Sequence, residues 1–337
     1  MTTAATVTDA AVPKARFDFK PILLLVALMA LAFPAIGSFG SWLTLTVAGL
    51  AMGLIFFVAA SGLTLVFGLM DVLNFGHGVF IALGAFVATS VMSGMAAWAG
   101  GSPLGDLASV MCAMLAAMVV AGALGWAFER VIIRPVYGLH LKQILITMGG
   151  MIVGEELIKA IWGPALIPLP LPEVLRGAFI VGDAAIEKYR LLAAAVGLAV
   201  FALLLWTLNR TKIGLLVRAG VQDREMVESL GYRIGRLFVG VFVAGSALAG
   251  LGGVLWGLYQ QNVVPQMGTQ LNVLLFIVII IGGLGSTLGC FIGALAVGLM
   301  ANYTGFLVPK VSLFSNIGLM VAILLWRPRG LYPISER

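Results

Sequence analysis

The chain has 337 residues, of which 61% are hydrophobic and only 10% charged, whereas soluble domains carry about 25% charged residues. That composition excludes a soluble enzyme or binding module and makes lipid the main solvent. The net charge of +6 calls for no nucleic acid, because basic residues at the ends of spanning helices act as topogenic signals and as contacts to anionic membrane lipid.

Residues 1–20 form a polar tail with Lys14, Arg16 and Lys20 and lack an apolar core of their own, so the first apolar run is read as an uncleaved helix. A run of about 18 apolar residues spans a hydrocarbon core about 30 Å thick. Such runs predict helices near 21–39, 43–66, 77–95, 106–128, 143–162, 189–208 and 237–258. Residues 271–301 form one long apolar block, interrupted by GGLGSTLG at 282–289. This predicts a helix on each side of a tight turn, and a last helix follows near 310–326. The expected fold is all-α and polytopic, with about ten transmembrane helices. The transmembrane body covers 21–327, and 328–337 is expected to be a cytoplasmic tail. Cys112 and Cys290 lie in apolar runs and read as small buried hydrophobes, without a disulfide or metal role.

Charge tests the helix count independently, since Lys and Arg collect in short cytoplasmic loops. With the N-terminus inside, fifteen of the twenty basic residues fall on the cytoplasmic side. An unbroken helix over 271–301 would put Arg327 and Arg329 opposite the basic 209–236 loop. A broken one puts them together, with both termini cytoplasmic.

That loop, residues 209–236, predicts a short amphipathic helix from Arg218 to Leu230. Met226, Val227 and Leu230 would form its apolar side, Asp223, Arg224, Glu225 and Glu228 its wet side, and Gly231 its end. Two readings stand: an interfacial helix lying on headgroups, or a helix that docks in a groove of a cytosolic partner.

GLMDVLNFGHGVF (68–80) sets Asp71, Asn74 and His77 among glycines at the junction of the second and third helices. Asp71 and Asn74 suit caps of the third helix, since their side-chain oxygens accept from unpaired amides. The same corner suits a pathway wall, because polar, unwound backbone at membrane depth is tolerated only against protein or a watery cavity. His140, the other histidine, has no acidic neighbour in sequence, so no metal site is expected. In GEELIK, Glu155 and Lys159 stand four apart, as in a helical ion pair. Glu156 would then lack a partner on its own helix and face the pathway. The 43 glycines predict close helix packing.

Five stretches in order, SGLTLVFGLMDVLNFGHGVFIALGAFVA (61–88), RAGVQDREMVESLGYRIGRL (218–237), AGSALAGLGGVL (244–255), IGGLGSTLGCFIGAL (281–295) and RPRGLYP (327–333), resemble the LivH-type permease subunits of branched-chain amino acid ABC importers. NFGHG favours this type over its LivM-type partner. The resemblance implies a type II importer fold in which two permease subunits frame one pathway. It also implies a transport subunit of the bacterial inner membrane, not an enzyme, with a LivM-type second permease, two LivG/LivF-type ATPase subunits and a periplasmic substrate-binding protein as partners. On this resemblance Arg218, Asp223, Glu225, Met226, Ser229, Leu230 and Gly231 belong to the coupling segment. Asp71, Asn74, Phe75, His77, Glu156, Gly282, Gly283, Gly285 and Ser286 are placed along the pathway. The chain itself has no G-x-x-x-x-G-K-[ST] phosphate loop, so no cofactor is expected on it, and ATP and Mg would be held by the ATPases. A gradient-driven secondary transporter is the alternative. It would have to couple through Asp71, His77, Glu155 and Glu156 alone.

Overall fold

The computed structural model describes residues 18–99, 102–222 and 224–333. In chain order its α-helices are α1 (Lys20–Ile36), α2 (Phe39–Met70), α3 (His77–Ala99), α4 (Pro103–Phe128), α5 (His140–Trp162), α6 (Lys188–Arg210), α7 (Lys212–Gln222), α8 (Arg224–Ser229), α9 (Ile234–Gln260), α10 (Met267–Gly282), α11 (Thr287–Leu307) and α12 (Ser312–Trp326). Each of the ten predicted apolar segments is a helix. Among the described residues, six stretches are long and apolar enough to cross a membrane: α2, α3, α4 with the turns after it, α6, α9 and α11. α1, α10 and most of α12 are apolar but shorter, and α5 carries Lys142, Glu155, Glu156 and Lys159.

Local chemistry sets the boundaries. Gly37, with φ of +79°, ends α1, and the Ser38 hydroxyl then accepts the Ser41 N–H to start α2. This places the α1–α2 junction several residues before the predicted one. Ser102 and Pro103 start α4 in the same way, with the Ser102 hydroxyl accepting from Gly105 N–H. α4 does not stop at Phe128 but runs through a π turn (Glu129–Ile133) and a 3-10 turn (Arg134–Val136), the latter containing Pro135.

α2 is buried without a break from Gly53 to Val66, as expected of a helix apolar all round. It packs against α9, α11 and α6, while α3 packs against α4, α9 and α10. Glycines allow these approaches. A Cβ on Gly62 would stand 2.1 Å from the Gly245 carbonyl oxygen, and one on Gly253 would stand 1.9 Å from that of Ile81. Gly149, by contrast, faces open space, so not every glycine in the apolar runs is a packing residue. Of the cysteines, Cys290 is buried and Cys112 is exposed.

The body is all-α, as expected, and among the described residues short strands occur only in its connections. The segment between α5 and α6 folds as an antiparallel hairpin, β2 (Ala178–Val181) with β3 (Ala184–Glu187), and β1 (Ile167–Pro168) pairs with β4 (Asn262–Val263). Both lie at the end of the bundle opposite the basic loops.

The predicted break is present. α10 stops at Gly282, α11 starts at Thr287, and Gly283 and Gly285 take φ of +99° and +81°. The predicted C-terminal tail is not a tail over the described residues up to 333. The Leu331 and Tyr332 N–H groups donate to the carbonyls of Ile281 and Gly282, and Leu331 is fully buried. RPRGLYP is thus a strap that satisfies carbonyls left open at the end of α10.

Candidate functional site

The connection between α2 and α3 is held by contacts that the capping expectation missed. Asp71 sits at φ of +53° as the C-terminal cap of α2, its N–H bonded to the Phe67 carbonyl. Its carboxylate lies 4.0 Å from His140, an acidic neighbour that the fold supplies from a distant part of the sequence. Neither Asp71 nor Asn74 caps α3 through its side chain; the Asn74 carbonyl accepts the His77 N–H instead. His77 is buried, and its Nε2 stands 2.9 Å from the carbonyl oxygen of Ala59 in α2, so this nitrogen carries the proton and donates.

From Asn74 onward the loop enters a polar seam between α5 and α10. The Phe75 N–H donates to Thr147 Oγ1 at 3.2 Å, and Asn272 Nδ2 donates to the Phe75 carbonyl at 2.8 Å. The Phe75 and Phe276 rings stack with centroids 4.6 Å apart. Thr269, Asn272 and Phe276 lie three and seven residues along α10 and so share a face. Thr269 Oγ1 donates to Glu155 at 3.0 Å. The side-chain oxygens of Asn74 and Asn272 are buried without a protein partner. Leaving such a group unsatisfied costs about 1–3 kcal/mol, so the seam is polar beyond what packing requires.

Glu156 is not left alone on its helix. Lys159 bonds both Glu155, at 3.0 Å, and Glu156, at 2.8 Å. It is Glu155, with a side chain 19% exposed, that reaches inward to α10, while Glu156, at 64%, points away. Thr147, Thr269 and Asn272 were not singled out in the sequence. The usable signal was there: Thr269, Asn272 and Phe276 repeat at helical spacing in a largely aliphatic run.

The glycine break does not join this seam. Gly282 packs on Gly289 of α11, Gly285 on Gly68 of α2, and Gly283 beneath the strap. Ser286 is the N-terminal cap of α11, accepting from the Gly289 N–H.

The loop after α6 forms two helices, α7 and α8, where one was predicted. Arg218 lies in α7 and Glu225 in α8; Asp223 lies outside the described residues. α8 ends as predicted at Gly231, with φ of +88°. The Gly231 N–H donates to the Glu228 carbonyl and the Tyr232 N–H to that of Val227, the paired bonds of a Schellman motif. The expected apolar side divides, with Val227 buried and Met226 and Leu230 exposed, while the Ser229 hydroxyl bonds back to the Met226 carbonyl.

The family model described as the permease component of the branched-chain amino acid transport system matches residues 45–324. The high-affinity branched-chain amino acid transport system permease protein LivH of Escherichia coli (strain K12) is 28% identical, over 84% of this chain and 92% of that protein. The corresponding permease protein BraD of Pseudomonas aeruginosa is 29% identical, over 84% and 93%. The permease protein LivM of Escherichia coli (strain K12) is 27% identical, over 94% and 76%.

Proposed function

Because the chain belongs to the family of branched-chain amino acid transport system permease components, we propose that it is the LivH-type subunit of an ATP-driven importer of branched-chain amino acids or related small carboxylates and amides. It crosses the bacterial inner membrane ten times with both termini in the cytoplasm, and pairs with a LivM-type permease. Two LivG/LivF-type ATPases hold ATP and Mg, and a periplasmic binding protein delivers substrate.

The observation that carries this reading is the extent of the match, residues 45–324, which takes in nearly the whole helical body and both of its polar regions. The sidedness is supported by one cluster of contacts. Asp71 meets His140, Gly68 meets Gly285, and Gly283 meets the strap that begins at Arg327. The basic stretches 130–142 and 327–329 are thereby gathered at one end of the bundle, and Arg233 and Arg236 share a cleft with Arg130 and Arg134, as the positive-inside rule requires of a cytoplasmic face.

Within this reading the seam of Asn74, Phe75, Thr147, Glu155, Thr269 and Asn272 borders the pathway. Its amide oxygens and carboxylate suit the ammonium of an amino acid, and its stacked phenylalanines suit an apolar side chain. The exposed Met226 and Leu230 of the coupling segment meet an ATPase.

The deciding experiment is reconstitution in proteoliposomes with added binding protein. The chain alone should neither hydrolyse ATP nor accumulate substrate, and uptake should need the second permease, both ATPases and ATP. Uptake driven by an ion gradient in the chain alone would replace this reading with the secondary transporter.

A further inference from the structure

Two cavities outside the seam adjoin one another along the end of α4. The first is a groove of about 880 Å³ between α3, α4 and α5, lined almost wholly by hydrocarbon, including Val119, Ala127, Val131, Gly149, Val153 and Leu157. It is open at the side, where Val119 and Val131 are exposed. Glu155 and Lys159 lie on the opposite side of α5 from Val153 and Leu157, because a step of two residues turns a helix by about 200°. The groove therefore opens on the side of α5 away from the polar seam.

The second is a cleft of about 760 Å³ between the turns after α4 and the start of α9. Arg130, Arg134, Arg233 and Arg236 line it. None of these four has an ion-pair partner among the described residues. Glu129 and Glu228 also line the cleft. Glu129 accepts from the Tyr137 hydroxyl with one oxygen, and its other oxygen is buried without a partner. Four guanidiniums against two carboxylates leave a positive excess. Arg130 sits over the Trp126 ring, 5.8 Å from its centroid, the arrangement of a side chain held at a membrane interface.

The cleft and the groove meet where Trp126, Glu129 and Arg130 of one alternate along the chain with Ala127, Phe128 and Val131 of the other. We infer that together they hold one anionic phospholipid, its phosphate among the arginines and one acyl chain in the groove. Neither half fits another occupant as well: the cleft offers charge-assisted donors suited to a phosphodiester, and the groove has almost no polar group. The inference rests on membrane embedding and not on what the chain transports.

The test uses the chain co-purified with its partner subunits and placed in phosphatidylcholine nanodiscs. Retention of added phosphatidylglycerol is read by native mass spectrometry, with diacylglycerol and free glycerol phosphate as competitors. Phosphatidylglycerol should be retained, and neither competitor should displace it. The double variant Arg130→Gln/Arg134→Gln should bind it about tenfold more weakly or worse, since each arginine supplies a charge-assisted bond. Gly149→Leu, whose new side chain enters open space, should fill the groove and also release the lipid while the protein melts normally. Wild-type retention in either variant would overturn the inference. So would displacement by glycerol phosphate alone or by diacylglycerol alone. Lipid bound by the isolated chain but excluded from the complex would assign the cleft to the ATPase interface, and the inference would likewise fall.

Discussion

His77 Nε2 donates to the carbonyl oxygen of Ala59 across 2.9 Å, bolting α3 to α2 at the level where α2 and α9 touch through Gly62 and Gly245. The histidine of NFGHG is thereby a structural donor in a buried helix crossing. His77→Gln, which can still donate, should melt close to the wild type. His77→Ala should cost about 1–3 kcal/mol, from a lost hydrogen bond and a small cavity. Gly62→Ala should cost at least as much, because its Cβ would stand 2.1 Å from a backbone oxygen. Thermal melts in detergent rank the three. A His77→Gln protein with a normal melt and no uptake would instead make His77 a proton carrier.

The strap over α10 gives a pH prediction. Arg327 bonds to the Asp18 carboxylate and holds it below the usual carboxylate range, with the Lys20 N–H adding to the effect. Tyr332 donates to the Asp18 carbonyl, and burial raises its phenol above the ordinary value. A carboxylate with a lowered folded pKa contributes stability that is complete above its unfolded value of about 3.9 and is lost as pH falls through the lowered value. Proteolysis near the C-terminus should therefore stay constant from neutral pH down to about 4 and rise below it. In Asp18→Asn the faster cleavage should be present at neutral pH as well. Gly330→Ala should open the strap at every pH, since Gly330 has φ of +86° and a Cβ there would stand 2.5 Å from the Gly283 nitrogen.

The helical segments and the glycine break were legible because hydrophobic run length and basic-residue placement are properties of the chain itself. The seam was not legible as a unit. Its members, Asn74, Thr147, Glu155 and Asn272, come from two helices and a loop, and only packing brings them together. Glu156 stands out in the sequence because it has no i,i+4 partner, yet Lys159 is long enough to serve i,i+3 as well. RPRGLYP read as a tail for the same reason: its partners are the carbonyls of Ile281 and Gly282, far away in sequence.

Glu155 and Glu156 should separate in function. Glu155→Gln removes the charge facing Thr269 of α10 and should depress uptake strongly, with the apparent substrate affinity most affected. Glu156→Gln leaves Lys159 its bond to Glu155. An exposed ion pair is worth about 0–1 kcal/mol, so uptake should change less than twofold. Equal losses in both variants would remove Glu155 from the pathway.

The segment proposed for coupling offers the sharpest separation, because adjacent residues on α8 differ in burial. Val227 is 1% exposed, whereas Met226 is 53% exposed and Leu230 is 67%. Val227→Asp would bury a charge within the chain, where it costs several kcal/mol, and should lower the melting temperature of the permease by itself. Leu230→Asp and Met226→Asp place the charge on the outer surface, so each variant alone should insert and melt like the wild type. If that surface seats on an ATPase, the same charge becomes buried on assembly, and the ATPases should no longer co-purify in detergent. A helix that merely lies on headgroups predicts the reverse, with ATPases recovered normally from both variants and only the lipid contact of the loop weakened. Leu230→Ala, which loses apolar area but buries no charge, should give a partial loss of co-purification. That gradation from Ala to Asp would tie the defect to the contact surface and not to misfolding.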